Sequence, residues 1–350
     1  MTIRTYAPGA LRRVVGAGMV WGLVLLYGGF GAAGAERCVL VEDFTATWCG
    51  PCHTVSTWLA EMQELYPATF ALLQEHVSST DAYAIAWGKS RFLSYGNASS
   101  IPNVWFDGTI QVLGTNPGYD GYYAAYATRA ALPTDVTVEL GAEQIEGPTF
   151  RFKVRVGLES GGQPKTVRVY LVRALDRYPN PANAYDRNCL MEAAPTADVA
   201  LSPGHKETIE SVMTFDPASW TRQPDIRAFA WAQVPGDTGP RNVYQSVRAA
   251  WPLTPLPPDL TPGDLNCDAE VDFDDINAFV LALSNPPGYL EFYPGCNIMN
   301  ADINGDGVVD FGDINPFVTL LSGPPPGGAS TTAFVHVRAE VLRRLGMASH

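Results

Sequence analysis

Val39-Leu40-Val41-Glu42-Asp43-Phe44-Thr45-Ala46-Thr47-Trp48-Cys49-Gly50-Pro51-Cys52 is the stretch that decides the fold of the first part of the chain. Val39 to Phe44 is a short apolar run of the kind that makes a buried strand. Beyond the cysteines, from Thr54 to Leu65, Val55, Leu59, Met62 and Leu65 fall on one helical stripe. Cys49 and Cys52 therefore stand between a strand and the N-terminus of a helix. There the backbone N–H groups and the helix dipole stabilise a thiolate on the first cysteine and lower its pKa. The second cysteine, a turn further on, is placed to resolve a mixed disulfide. Cys49 is the expected nucleophile and Cys52 the resolving thiol, with protein thiols and disulfides as substrates. Two other readings of the pair are an inert bond and half of a zinc site. Zinc needs two further ligands, and no second Cys-X-X-Cys or Cys/His pair accompanies it.

Working outward, Val104-Trp105-Phe106, Asp107-Gly108 and Ile110 to Leu113 read as a hairpin with a tight turn. Tyr122 to Leu132 reads as a helix that Pro133 ends. Strands alternating with helices predict a mixed α/β domain over residues 36–132. Here the sequence resembles the thioredoxin family. The resemblance rests on Val41 to Cys52, with an Asp six residues before the first cysteine, and on Ser100-Ile101-Pro102-Asn103-Val104. It implies the thioredoxin fold, with Trp48, Cys49 and Cys52 in the active-site motif. It also implies that Asp43 assists proton transfer at the resolving cysteine. The Ile101–Pro102 bond is then expected to be cis, with Pro102 beside Cys49 contacting substrate backbone. Asn103 stands where a Thr is common, and His53 where thioredoxins often have Lys.

Across 133–252 the helical period disappears. Val136 to Val138, Phe150 to Val156, Val167 to Val172, Thr208 to Phe215 and Ile226 to Trp231 alternate or run apolar between turn signals. They predict an all-β sandwich, and the order resembles secreted thioredoxin-like proteins that carry an immunoglobulin-like domain. Pro252 to Pro262 holds five prolines, so 253–263 is expected to be a semi-rigid linker.

An internal repeat follows over 264–323. Asp264, Asn266, Asp268, Asp272 and Asp275 return 38 residues later as Asp302, Asn304, Asp306, Asp310 and Asp313. Calcium takes several oxygen ligands from a twelve-residue loop at positions 1, 3, 5, 7, 9 and 12. The carbonyls of Glu270 and Val308 complete the two sets at the seventh position. Gly307 fills the sixth position of the second loop and Ala269 that of the first, so the first loop is expected to bind more weakly. The paired loop–helix arrangement resembles a type I dockerin, an EF-hand-like calcium module. That resemblance implies docking to a cohesin-like partner and attachment to polysaccharide-degrading assemblies. Phe273-Asp274 and Phe311-Gly312 stand where many dockerins carry small polar recognition residues. Residues 324–350 read as a linker and tail, with Phe334, Val337, Val341 and Leu345 at helical spacing.

The whole chain of 350 residues carries a net charge of −13, which argues against nucleic acid as a partner. Arg4, Arg12 and Arg13 precede an uncharged stretch, Val14 to Ala35, that ends in Ala33-Gly34-Ala35. This is the order of a secretory signal, with cleavage expected before Glu36 and a secreted or periplasmic product. The stretch is also long enough to span a bilayer, but its seven glycines make a poor spanning helix. Six cysteines in an exported chain fit three disulfides. Local spacing favours Cys49–Cys52 and Cys267–Cys296, leaving Cys38 and Cys189 paired by default. An exported reductant needs electrons from a membrane donor. The expected function is thiol–disulfide exchange with a calcium-dependent attachment module. The alternative is a non-enzymatic scaffold or an accessory protein of a polysaccharide-degrading assembly.

Overall fold

The computed structural model describes residues 35–322, apart from 97, 98, 160, 258, 259, 269 and 295. The signal segment, Ala269 and the C-terminal tail of the sequence reading lie outside the described residues. What is described is a multidomain mixed α/β chain with two sheets and seven α-helices.

The first part runs β1 (Val39–Thr45), α1 (Gly50–Leu65), β2 (Phe70–His76), α2 (Ala86–Ser94), β3 (Asn103–Phe106), β4 (Ile110–Leu113) and α3 (Gly118–Ala130). β1 is central, parallel to β2 on one side and antiparallel to β3 on the other. Side chains alternate across a strand, and both faces of β1 are buried. Val39 and Val41, with Phe70, Leu72, Val104 and Phe106, pack on Val55, Leu59 and Met62 of α1 and on Tyr122 and Tyr126 of α3. The next residue on that face is Asp43, which places a carboxylate under α1. The β3–β4 turn is left-handed at Asp107 (φ 47°) and Gly108 (φ 64°). A Cβ at Gly108 would come within 2.2 Å of the Arg241 carbonyl, so only glycine lets this turn approach the second part of the chain.

That second part comprises β5 (Val136–Glu146), β6 (Thr149–Leu158), β7 (Lys165–Leu175), β8 (Cys189–Ala193), β9 (Ala197–Leu201), β10 (Lys206–Thr214), the helical turn α4 (Pro217–Trp220), β11 (Ile226–Gln233) and β12 (Val243–Ala250). β10, β6 and β5 make a three-stranded sheet. The other strands do not close a sheet of their own. They continue the first one, in the order β12-β11-β7-β8-β2-β1-β3-β4, with β9 added to β7, to give nine strands. The join is β8 against β2, where Cys189 lies opposite Gln74. Gln74 N donates to Asn188 O at 3.1 Å, and Asn188 Nδ2 donates to Leu72 O at 2.8 Å. All seven residues of β2 are buried. Without β8 its outer amides would lack partners, which is costly away from water.

Three buried ion pairs, on two carboxylates, pin the join. Arg91 of α2 meets Glu42 of β1 with Nε–Oε1 2.6 Å, and its Nη1 donates to Gln233 of β11 at 2.9 Å. Its guanidinium lies 5.1 Å from the Tyr170 ring and 5.6 Å from the Trp231 ring. Asp107 is paired with both Arg37 (3.1 Å) and Arg129 (3.0 Å), and Arg37 also donates to Val243 O on β12.

The expected bond between Cys38 and Cys189 is not formed; both are free thiols. Cys189 sits beside Gln74, which pairs with Asp43, whereas Cys38 is five positions back, just ahead of β1. Five residues span about 16 Å in a strand, and a disulfide needs Cα atoms within about 7 Å. Burial pushes the Cys38 thiol up to about 11 and raises that of Cys189 as well, so neither is a ready nucleophile.

After β12 the proline-rich segment runs along the three-stranded sheet. Ala142 N donates to Thr254 O (2.8 Å) and Arg155 Nη2 to Pro257 O (2.9 Å). The repeat then forms α5 (Asp275–Ser284), α6 (Pro286–Phe292) and α7 (Ile314–Ser322). Phe279 and Phe317, equivalent residues of the two copies, stack with centroids 4.1 Å apart in its core. Cys267 and Cys296 are bonded there.

Candidate functional site

Cys49 is the N-cap of α1, and its Sγ accepts the Cys52 amide at 3.3 Å. Pro51 fits the first turn, where its missing N–H costs nothing. The two cysteines are bonded to each other, with Cα atoms 5.2 Å apart. Cys49 retains 5% exposure and Cys52 none, so a partner can reach only Cys49. Trp48, 60% exposed, presents its ring to solvent beside them. Ala46 and Ile101 pack on the pair. The Ile101–Pro102 bond is cis and Pro102 is buried.

Asp43 is fully buried under α1. Its Oδ2 accepts from Ser56 Oγ at 2.6 Å and from Gln74 Nε2 at 3.1 Å, while Oδ1 has no partner. Burial raises its pKa above the ordinary carboxylate range, against the pull of those two bonds. Its protonated form is therefore favoured more than that of a carboxyl in water.

On the other flank of the dithiol the sequence pointed to His53 but not to its surroundings, Tyr185, His76 and Asp81. His53 Nε2 meets Thr47 O at 2.9 Å, and its ring stacks on Tyr185 with centroids 4.4 Å apart. Behind it, buried His76 Nδ1 lies 2.9 Å from Asp81 Oδ2, which also accepts the Thr47 amide at 2.6 Å. Burial works against ionisation of Asp81, but the bonds from His76, Thr47 and Tyr83 hold it below the usual range. Tyr185 belongs to the segment between β7 and β8, so only the fused sheet brings it here. No signal in the sequence marks it.

The two Asp loops share most of their hydrogen bonds, and in the second Asp302 also accepts the amides of Asp306 and Gly307. Asp275 Oδ1 accepts the amides of Leu265 and Asn266, and Oδ2 that of Asp272. Asp313 accepts those of Ile303, Asn304 and Asp310 in the same way. In each loop the third-position Asn accepts the amide two residues on, as do the Asp at the fifth and ninth positions. Gly305 and Gly307 take left-handed φ of 73° and 87°. In the first copy Cys267, equivalent to Gly305, adopts φ 61° despite its side chain. The side-chain donors are all oxygens, a set suited to a hard cation rather than zinc. Among the described residues no three His, Cys, Asp or Glu side chains converge as a metal-binding group. The loop oxygens hold loop amides instead.

No protein-family model matches the chain. Over 52 residues, 15% of its length, the chain is 35% identical to thioredoxin H-type 2 of Nicotiana tabacum, spanning 43% of that protein. Among solved structures, HBP35 of Porphyromonas gingivalis is similar over 65% of this chain and 80% of its own, with TM-score 0.48 and 14% identity. A β-glucosidase from Kluyveromyces marxianus is similar over 39% of this chain and 17% of its own, with TM-score 0.21 and 12% identity. At TM-scores below 0.5 neither likeness bears on the argument. The local thioredoxin similarity and the bonded Cys49–Cys52 pair point the same way, toward thiol–disulfide chemistry.

Proposed function

We propose that this chain is an exported thiol–disulfide oxidoreductase that works through Cys49 and Cys52. The observation that carries the reading is a dithiol at the head of a helix with one sulfur reachable, one sealed, and a carboxyl of raised pKa beneath. In the reducing direction the Cys49 thiolate attacks a substrate disulfide. The substrate S–S bond breaks, a Cys49–substrate bond forms, and the leaving sulfur departs as a thiolate that takes up a proton. Cys52 then loses its proton, with Asp43 as the nearby acceptor, and attacks Cys49 Sγ. This frees the second substrate thiol and leaves Cys49 bonded to Cys52. A membrane-bound donor would return two electrons; run backwards, the same steps oxidise a substrate dithiol. Trp48 and the Ile101-Pro102 turn offer the surface on which the substrate backbone lies.

The same proposal makes the C-terminal repeat a calcium-dependent attachment module for a cohesin-like partner. Its support is the all-oxygen donor set repeated in both loops, with Asp264, Asn266, Asp268, Asp272 and Asp275 answering Asp302, Asn304, Asp306, Asp310 and Asp313. When bound, calcium would supply charge neutralisation and rigidity there. Export rests on the N-terminal sequence pattern, and no helix among the described residues is long and apolar enough to cross a membrane.

Reduction of insulin by dithiothreitol, with and without the protein, tests the central part. Wild type should accelerate it and Cys49→Ser should not. Equal rates for the two would overturn the oxidoreductase reading and leave a scaffold.

A further inference from the structure

β1 has a different neighbour on each side of the dithiol. Pro102 precedes β3 on one side, while the chain leaving β2 carries Asp81 and Tyr83 on the other. On that second side a cleft of about 240 Å3 opens between the dithiol segment and the β7–β8 connection. His53, Tyr83, Asn180, Asn183, Tyr185 and Asp186 line it, together with Thr47. Thr47 and His53 bracket Trp48 to Cys52 in the chain, so the cleft borders the dithiol segment.

We propose that this cleft is a specificity subsite that takes a basic side chain, Lys or Arg, lying a few residues from the attacked cysteine of a substrate protein. The inference rests on the thiol–disulfide exchange reading and names the substrate class it prefers. Three features of the lining carry it. First, Asp186 is buried, and its Oδ2 accepts from Asn180 N at 3.1 Å and Asn183 Nδ2 at 3.0 Å. No described donor reaches its Oδ1, so one carboxylate oxygen remains to meet a ligand. Second, no Lys or Arg is among the described residues of the lining, so a bound cation meets no competing positive side chain of either type. An acidic side chain would face the Asp186 carboxylate at reduced solvation, and an apolar one would leave that oxygen without a partner. Third, Tyr83 and Tyr185 make part of the lining aromatic, a surface that suits a guanidinium or ammonium.

The walls are already held in place. Tyr185 lies on His53 with ring planes 13° apart, and Tyr83 stands edge-on to Tyr178 at 5.3 Å. The Tyr83 amide donates to Asp81 Oδ1 at 3.0 Å. Little ordering remains to be done when a ligand enters, which favours selectivity. The half of the cleft supplied by the β7–β8 connection exists only because β8 joins β2. The sandwich part of the chain thereby contributes directly to what the dithiol can accept.

The test measures kcat/KM of the full-length protein on disulfide-linked peptides that differ only in carrying Arg, Gln or Glu two residues from the cysteine. Wild type should favour Arg over Gln by about tenfold, the effect of one charge-assisted contact in a partly exposed cleft. Glu should be the poorest. Asp186→Asn should bring the Arg-to-Gln ratio to about one, and added salt should compress it in wild type. If Asp186→Asn does not fold, Tyr185→Leu decides, since it removes an aromatic ring from the lining and leaves the carboxylate; the ratio should again fall. Wild-type reduction of all three peptides at equal rates would overturn the subsite while leaving the oxidoreductase standing. An Arg preference that survives in the folded variants would overturn it too. Failure to reduce any peptide would overturn the exchange reading itself, and the subsite with it.

Discussion

The dithiol and the Asp loops assemble in different ways. Cys49, Asp43 and Tyr185 come from the head of α1, from β1 and from the β7–β8 connection, and the fused sheet holds them together. Each Asp loop is twelve consecutive residues folded on its own side-chain-to-amide bonds. The dithiol region is organised by packing and needs no ligand to take its shape. Each loop gathers four Asp, whose mutual repulsion opposes folding; on the proposed calcium role, a bound cation would offset it. Long-range packing sets the redox site, whereas local charge balance governs the repeat.

The largest effect expected from breaking that contrast is at the sheet join. Glu42→Ala leaves Arg91 buried among Tyr95, Tyr170 and Trp231 without its carboxylate, which costs about 3–5 kcal/mol. Chemical denaturation should show that loss in the transition of the fused-sheet body, with calcium making no difference to it. A drop under 1 kcal/mol would mean the join does not depend on this pair.

Next in size is removal of calcium. By linkage, a hundredfold excess of calcium over its dissociation constant should stabilise the repeat by about 3 kcal/mol. Calorimetry of the full chain with and without chelator should show one transition moving and the other unchanged. Asp313→Ala should abolish the calcium response of the second loop, since Asp313 also holds three loop amides. A repeat whose melting temperature ignores chelator would be a solvated acidic surface.

The smallest effect sharpens the picture of the join by pH. Glu75 is fully buried with both carboxylate oxygens unpartnered, and burial raises its pKa well above normal. The folded state therefore holds a proton that the unfolded state releases, and stability should fall as pH rises through the range between the two pKa values. Asp81 and Asp176 are held below the usual range. Their contribution runs oppositely and is lost as pH falls. Glu75→Gln should flatten the alkaline limb and leave the acid limb alone, as read by melting temperature from pH 4 to 9.

Much of this molecule was legible in its sequence because much of it is local. The strand before Cys49, the helix after it, the Asp107-Gly108 hairpin and the repeat all depend on neighbours a few residues away. The helix starts earlier than its apolar stripe, at Gly50, because Cys49 caps it and periodicity does not register a cap. β2 and α2 escaped notice: Phe70-Ala71-Leu72-Leu73 is buried on both faces and has no alternation to read. What the residues could not announce is that β8 adds to β2. That single pairing breaks the expected Cys38–Cys189 link, fuses two sheets and carries Tyr185 to His53. A strand edge left without partners in its own domain is the physical signal, and it appears only once β2 is in place.

The central claim is a division of labour between an attacking and a resolving thiol, and trapping tests it most directly. Cys52→Ser, incubated with a disulfide-containing substrate protein and resolved on a non-reducing gel, should accumulate a mixed disulfide through Cys49 that reductant dissolves. Cys49→Ser should trap none. Equal trapping by both variants, or by neither under conditions where wild type reduces the substrate, would contradict the account.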